Sequence, residues 1–222
     1  MEHLTLIIPA KNEKESLPNV LNELKKYNLK IIVVLEKEDL ETINSIKEHD
    51  CKILHQINKG YGDALTQGLR NVKTNFFCFF NADGSFNPNE LKNMYDLAVK
   101  RNADFIFGSR YMSGALSQDD TIITLIGNKI FTFIGQFFFS LPISDILYTF
   151  VLGDTQKANN LQLKEKSFSF CVELPILAKK SKHKLISVPS HERARIAGKK
   201  KVNEFKDGFL ILINMIKIYF KY

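Results

Sequence analysis

A chain of 222 residues with 45% apolar side chains is long enough to bury one large core, and too apolar for wholesale disorder. Its three cysteines (Cys51, Cys78 and Cys171) are odd in number and far apart, which excludes a disulfide framework or a zinc site and points to a reducing compartment. The net charge of +7 sits in the tail: residues 172–222 hold 12 Lys/Arg against 4 Asp/Glu, without the aromatic interleaving or recognisable module of a nucleic-acid binder. A phosphorylated small molecule or an anionic membrane surface suits this excess better than nucleic acid does.

The N-terminus, MEHLTLIIPAKNE, has no basic leader, so LTLIIP (4–9) reads as a first strand and not as a secretory signal. Leu17, Val20, Leu21 and Leu24 recur at helical spacing within 13–26. KIIVVL (30–35) is a second strand, 39–48 a polar helix, CKILHQ (51–56) a third strand and 61–72 a helix. FFCFFN (76–81) is the next strand, Pro88 opens a helix to about Lys100, and DFIFGS (104–109) is a fifth strand. This alternation of near-continuous apolar strands with helices predicts a mostly parallel sheet covered on both faces. After Arg110 the texture changes. Residues 121–143 are strongly apolar but interrupted by Asn128, Lys129, Gln136 and Pro142; a helix at 173–181 and a strand at 184–189 follow. A basic loop, HERARIAGKKK (191–201), precedes an apolar last helix at 209–220. The expected organisation is one domain over 1–208, with 209–222 as a C-terminal appendage.

Polar residues cluster where strands end. FFCFFN runs into Asn81, Ala82, Asp83, Gly84 and Ser85, either a plain strand-to-turn transition or a metal site at the carboxyl end of a strand. The first strand ends in Pro9-Ala-Lys-Asn-Glu13, where Asn12 could simply cap the next helix. Glycines 60, 62 and 68 form a turn into a helix, but no Gly-Lys-Ser/Thr follows, so it is not a Walker loop.

Singly these motifs say little. In this order and at these spacings, "PAKNE", "NKGYGDALTQGL", "NADGSFNP" and "DFIFGSRYMSG" resemble family 2 glycosyltransferases of the GT-A fold. The dolichyl-phosphate mannosyltransferase-like branch, which glycosylates polyprenyl phosphates, is the most similar. The resemblance is close over 4–115 and looser to about 208. It implies an α/β GT-A domain that moves a hexose, with inversion, from a GDP- or UDP-sugar to a polyprenyl phosphate. Asn81-Ala82-Asp83 falls on the family's Asp-x-Asp motif, so Asp83, with Asn81 and Ser85, is implied to hold Mg²⁺ or Mn²⁺ at the donor diphosphate. Pro9, Lys11 and Glu13 fall on the nucleoside-contacting strand end. Glu36 stands for the second Asp of the usual Asp-Asp-Gly-Ser, and Arg110 is implied to meet a phosphate. Asp145 falls on the Asp of Asp-x-x-x-Gly-Phe, a base or acceptor-positioning group, with Thr149 in place of the glycine. Glu173 matches an acidic helix start, and a helix-dipole role suffices for it. Arg195 and Lys201 fall on a loop that closes over phosphates in relatives; a solvated charge run is the alternative.

An ionised lipid phosphate needs no strong base, whereas a sugar-hydroxyl acceptor in cell-surface glycan synthesis would make Asp145 indispensable. The absence of tryptophan excludes the Gln-x-x-Arg-Trp processive synthases. A nucleotidyltransferase would need a glycine-rich, basic first loop, which is absent. A non-catalytic nucleotide-sugar-binding paralogue stays open because of Asn81, Glu36 and Thr149. The last helix, 12 residues or roughly 18 Å, falls short of the roughly 30 Å hydrocarbon core. It is therefore expected, with 121–143, to lie on an anionic membrane surface at the cytoplasmic side; packing of both stretches on the sheet as core helices, or on a second subunit, is the alternative.

Overall fold

The computed structural model describes residues 1–101, 103–198 and 200–221. Lys199 of the basic loop and Tyr222 of the C-terminal appendage lie outside the described residues. Along the chain run β1 (Leu4–Pro9), α1 (Leu17–Leu24), β2 (Lys30–Leu35), α2 (Leu40–Ile46), β3 (Lys52–His55), α3 (Tyr61–Arg70), β4 (Phe76–Phe79) and α4 (Leu91–Arg101). Then follow β5 (Phe105–Ser109), β6 (Leu116–Ser117), α5 (Ile122–Phe139), β7 (Val151–Asp154), α6 (Thr155–Asn160), α7 (Phe170–Lys180), β8 (Leu185–Pro189), β9 (His191–Glu192) and α8 (Glu204–Lys221).

Seven strands form one sheet in the order β3-β2-β1-β4-β7-β5-β8, all parallel except β7. Strand side chains alternate between faces, and each face meets helices. Ile7, Phe77, Phe79 and Phe105 pack under α3, α6, α7 and α8; Leu6, Ile8, Cys78 and Phe80 pack under α1, α2 and α4. Burial on both sides explains why these strands read as unbroken apolar runs. β7 escapes the sequence reading because VLGD is short and its glycine looks like a breaker. Gly153 is needed there: a Cβ would stand 2.6 Å from the Phe105 ring and 2.9 Å from that of Phe77.

Helix boundaries shift where caps, not apolar residues, decide them. α8 begins five residues before the expected 209, since the Asn203 side chain accepts from the Lys206 N–H at 2.9 Å. It packs on α5 and α7 through Ile211, Met215 and Ile218. α5 is one 18-residue helix that packs Phe131, Ile134 and Phe139 against the core and still presents an apolar outer face. Its buried residues are Asn128, Thr132 and Gly135, whereas Ile122, Ile123, Ile126, Ile130, Phe133, Phe137 and Phe138 are exposed. Of the residues that interrupt the apolar run, Asn128 is buried and donates to the Tyr111 hydroxyl, Gln136 donates to the Ile143 carbonyl and Lys129 is exposed; between them the buried Thr132 accepts from the Ile146 N–H. By length and composition α5 is the one helix among the described residues long and apolar enough to cross a membrane.

Candidate active site

The parallel order brings the carboxyl ends of β1, β2, β4 and β5 to one edge, where they line a cavity of about 610 Å³. Pro9, Lys11, Glu13 and Glu36 border it from β1 and β2; Asn81, Ala82, Asp83 and Ser85 border it from β4, and Arg110 from β5. Arg195 and Lys201 reach it from the basic loop. Of the expected site residues only Asp145 does not line it.

At the β1–β2 end Lys11 bonds Glu36 at 2.8 Å, and Asn12, with φ of 54°, donates its N–H to Asp39 at 2.7 Å. Asn12 therefore turns the chain at the strand end and does not cap α1. At the β4 end, one Asp83 oxygen accepts from the Ser85 N–H (3.0 Å) and hydroxyl (2.7 Å), while Asn81 donates to the Ser85 hydroxyl at 3.1 Å. Ser85 thus orients Asp83 and leaves the second carboxylate oxygen facing the cavity. Its neighbour is the Arg195 guanidinium, 3.7 Å away.

Among the described residues no group of three or more His, Cys, Asp or Glu forms a metal cage. One oriented carboxylate oxygen, an adjacent amide and a cavity for phosphates nevertheless fit a hard divalent cation that takes most of its ligands from substrate and water. Such a site has little affinity for the bare ion.

Arg110 is the hub of the other end. Its guanidinium is 7% exposed and makes a two-pronged bond to Asp145 (2.8 and 3.0 Å), while Nη1 reaches Asp120 at 3.1 Å and Glu192 at 3.4 Å. It lies over the Tyr148 ring at 4.6 Å. Both Asp145 oxygens are held by this one cation, and Asp145 is fully buried. Burial pushes the Asp145 and Glu192 carboxyls above the usual range, and Arg110 offsets part of that rise. Burial alone would lower the arginine pKa, but Asp145 and Glu192 outweigh it and raise the pKa well above the ordinary value. From sequence, Arg110 and Asp145 are expected to act separately, as a phosphate ligand and as a base or acceptor-positioning group. The fold makes them one ion pair, with Asp145 positioning Arg110.

The basic loop is closed over the cavity. Arg195 forms a fork with Asp119 (3.1 and 2.5 Å), Lys201 pairs with Glu13, and Lys200 donates to Thr124 at 2.8 Å. The Ile196 N–H donates to the Asp83 carbonyl at 2.8 Å, and the Ile196 side chain rests on Gly84, where a Cβ would approach to 2.5 Å. Glu13 and Asp119 thus hold the loop cations at the rim of the cavity. Arg193 anchors the loop base through Glu23 at 2.9 and 3.0 Å. Asp119, Asp120, Glu192 and Arg193 were not foreseen; "SQDD" at 117–120, polar residues straight after an apolar strand and its loop, was the available signal.

Glu173 also has more to do than meet a helix dipole. Its carboxylate accepts from the Lys164 and Glu165 N–H groups at 2.9–3.1 Å, fixing the loop before α7.

A mostly parallel α/β sheet with a mixed-charge cleft at its carboxyl edge is the arrangement in which open α/β folds bind ligands, and it is the GT-A fold. The sequence matches glycosyl transferase family 2 over residues 5–161, and the chain belongs to that family; it is a glycosyltransferase. It is 26% identical over 222 residues to the UDP-N-acetylglucosamine–dolichyl-phosphate N-acetylglucosaminyltransferase of Methanococcus voltae, covering 83% of each chain. Its fold matches mannosyl-3-phosphoglycerate synthase from Rubrobacter xylanophilus (TM-score 0.77, 13% identity, 99% of this chain and 74% of that one). It also matches glucosyl-3-phosphoglycerate synthase from Mycobacterium tuberculosis in complex with Mn²⁺, UDP-glucose and phosphoglyceric acid (TM-score 0.73, 11% identity, 98% and 80%).

Proposed function

We propose that this glycosyltransferase moves a hexose from a GDP- or UDP-sugar to a polyprenyl phosphate, with inversion, at the cytoplasmic face of an anionic membrane. The observation that carries the acceptor is the exposed apolar face of α5. Its apolar face continues onto α8, where Phe209, Leu212, Ile216 and Phe220 are exposed and Tyr219 meets Phe138 edge-on at 5.8 Å. Such a face suits an acyl boundary, with Lys129, Lys206 and Lys217 exposed near it for anionic headgroups. The cavity reaches these helices: Thr124 and Asn128 of α5, and Val202 and Ile211 of the α8 segment, line it. A lipid whose chain lies along α5 and α8 brings its phosphate towards Arg110 and Asp83.

The chemistry follows from the charges. Asp83, with Asn81 and Ser85 beside it, holds Mg²⁺ or Mn²⁺ together with the donor diphosphate. When bound, the ion acts as a Lewis acid on the departing nucleoside diphosphate. Lys11 and Glu36 contact the nucleoside, and Arg195 and Lys201 exchange Asp119 and Glu13 for phosphate oxygens. The acceptor phosphate arrives ionised and attacks directly. This removes the need for a base and agrees with an Asp145 fully engaged by Arg110. Support for the acceptor also comes from the dolichyl-phosphate enzyme of Methanococcus voltae, and for the metal from the Mn²⁺–UDP-glucose complex of the mycobacterial synthase.

The test is nucleoside diphosphate release from a panel of GDP- and UDP-sugars, with Mg²⁺, Mn²⁺ or chelator, and with or without a short-chain polyprenyl phosphate. Metal-dependent release stimulated by the lipid phosphate is expected. Stimulation by a sugar hydroxyl acceptor, with none from lipid phosphate, would contradict the proposal.

A further inference from the structure

One wall of the cavity takes no part in holding the metal or the phosphates. Tyr61 at the start of α3, Thr149 before β7 and Phe168 before α7 line the same cavity as Asp83 and Arg110. The Tyr61 and Thr149 hydroxyls bond each other at 2.6 Å, and the Tyr61 ring stacks on Phe168 with centroids 5.0 Å apart and planes 25° apart. The wall is rigidly supported. A Cβ at Gly60 would lie 2.1 Å from the Lys166 carbonyl oxygen and one at Gly62 2.3 Å from that of Glu165, so the start of α3 is pressed against the loop that Glu173 holds.

Two hydroxyls bonded to each other use one O–H and one lone pair. A second O–H and further lone pairs remain, and among the described residues neither oxygen makes another hydrogen bond. Polar capacity left in a mostly enclosed wall calls for a polar partner in the cavity. The wall's place tells which part of a substrate that is. Tyr148 lies against the Arg110 guanidinium, and the next residue, Thr149, meets Tyr61, so the pair lies between the Arg110 end and α3. Tyr61 and Asp83 line the same cavity. A pyranose joined to a diphosphate at Asp83 and attacked from the Arg110 side has to occupy the space between them.

Resting on the proposed transfer reaction, we infer that the Tyr61–Thr149 hydroxyl pair, backed by Phe168, reads a hydroxyl of the transferred sugar and so selects the nucleotide-sugar. Thr149 is also where this chain departs from the glycine of the motif its sequence resembles. The hydroxyl it supplies is a feature of this chain.

Tyr61→Phe and Thr149→Val keep the shape of the wall and remove one hydroxyl each. Two quantities are measured for each variant: the affinity for bare UDP or GDP with Mn²⁺ by calorimetry, and kcat/KM for the preferred nucleotide-sugar. The expected result is a drop in kcat/KM of about tenfold or more, with bare nucleotide affinity within about twofold of wild type. A deoxy-sugar donor lacking the hydroxyl that is read should be used equally by wild type and variants. Unchanged kcat/KM, or an equal fall in bare nucleotide affinity, would overturn the inference; the second result would place the wall on the nucleotide. Wild-type protein that binds neither nucleotide would instead overturn the transfer reaction itself, and this inference with it.

Discussion

Replacing Arg110 by Ala removes the one cation that faces three carboxylates. Asp145 is fully buried, Glu192 and Asp120 are nearly so, and both Asp145 oxygens would lose their strong donors. Breaking a buried pair from one side costs about 3–5 kcal/mol, because the remaining charge stays desolvated. The lost contact with the Tyr148 face adds about 0.5–2 kcal/mol. Against a typical domain stability of about 5–15 kcal/mol, the variant should be folded but severely weakened. The pH dependence has a definite sign. Asp145 and Glu192 already titrate above the usual range in the folded protein because of burial, and losing Arg110 raises them further. The folded state then holds more protons than the unfolded state across the window above the ordinary carboxylate pKa. Stability in that window therefore falls as pH rises and recovers on acidification. Urea unfolding at pH 7.5 and pH 5.5 tests this: the deficit relative to wild type should be largest at pH 7.5 and shrink at pH 5.5. A deficit below about 1 kcal/mol at pH 7.5, as for an exposed pair, or the same deficit at both pH values, would refute the buried-network reasoning.

Three further outcomes are expected. Asp83→Ala should abolish metal-dependent donor binding without changing the unfolding midpoint, while Asn81→Asp should tighten Mn²⁺ binding in the presence of nucleotide; calorimetry reads both. Replacing Arg195 and Lys201 together by Ala should weaken nucleotide-sugar binding by about 2–4 kcal/mol, on the order of two charge-assisted hydrogen bonds, and make residues 193–201 as protease-sensitive with ligand as without it. Glu173→Ala removes the acceptor of the Lys164 and Glu165 N–H groups and should cost about 1–3 kcal/mol in urea unfolding, with loss of Phe168 packing visible in near-ultraviolet circular dichroism.

Much of the fold was legible because its signals are local. β1, β2, β4 and β5 are apolar runs ended by polar residues, and the Asn81–Ser85 turn declares itself by composition alone. Less visible was anything decided by distant partners. Asp119 becomes a functional residue only because Arg195, 76 positions later, folds back onto it, and Glu192 only because Arg110 lies beside it. Nothing in "SQDD" or "HER" marks those meetings. α5 is the instructive case. Asn128, Thr132 and Gln136 recur every four residues, a helical period in plain sight. A soluble core would bury the apolar side of such a helix, so the polar residues read as interruptions. The period was available; which side faces inward came only from the partners of those three side chains.

The most direct test follows the sugar itself. A donor labelled in its hexose is incubated with the protein, Mn²⁺ and polyprenyl phosphate in vesicles with or without anionic lipid, and the label is partitioned between water and organic solvent. Label should move to the organic phase as a lipid-linked sugar phosphate, faster with anionic vesicles and more slowly in high salt. Replacing Ile126, Phe133 and Phe137 by Ser should slow that transfer while leaving metal-dependent nucleotide binding intact. Label that stays in water at every vesicle composition, from a protein that binds donor and metal normally, would contradict a lipid phosphate acceptor.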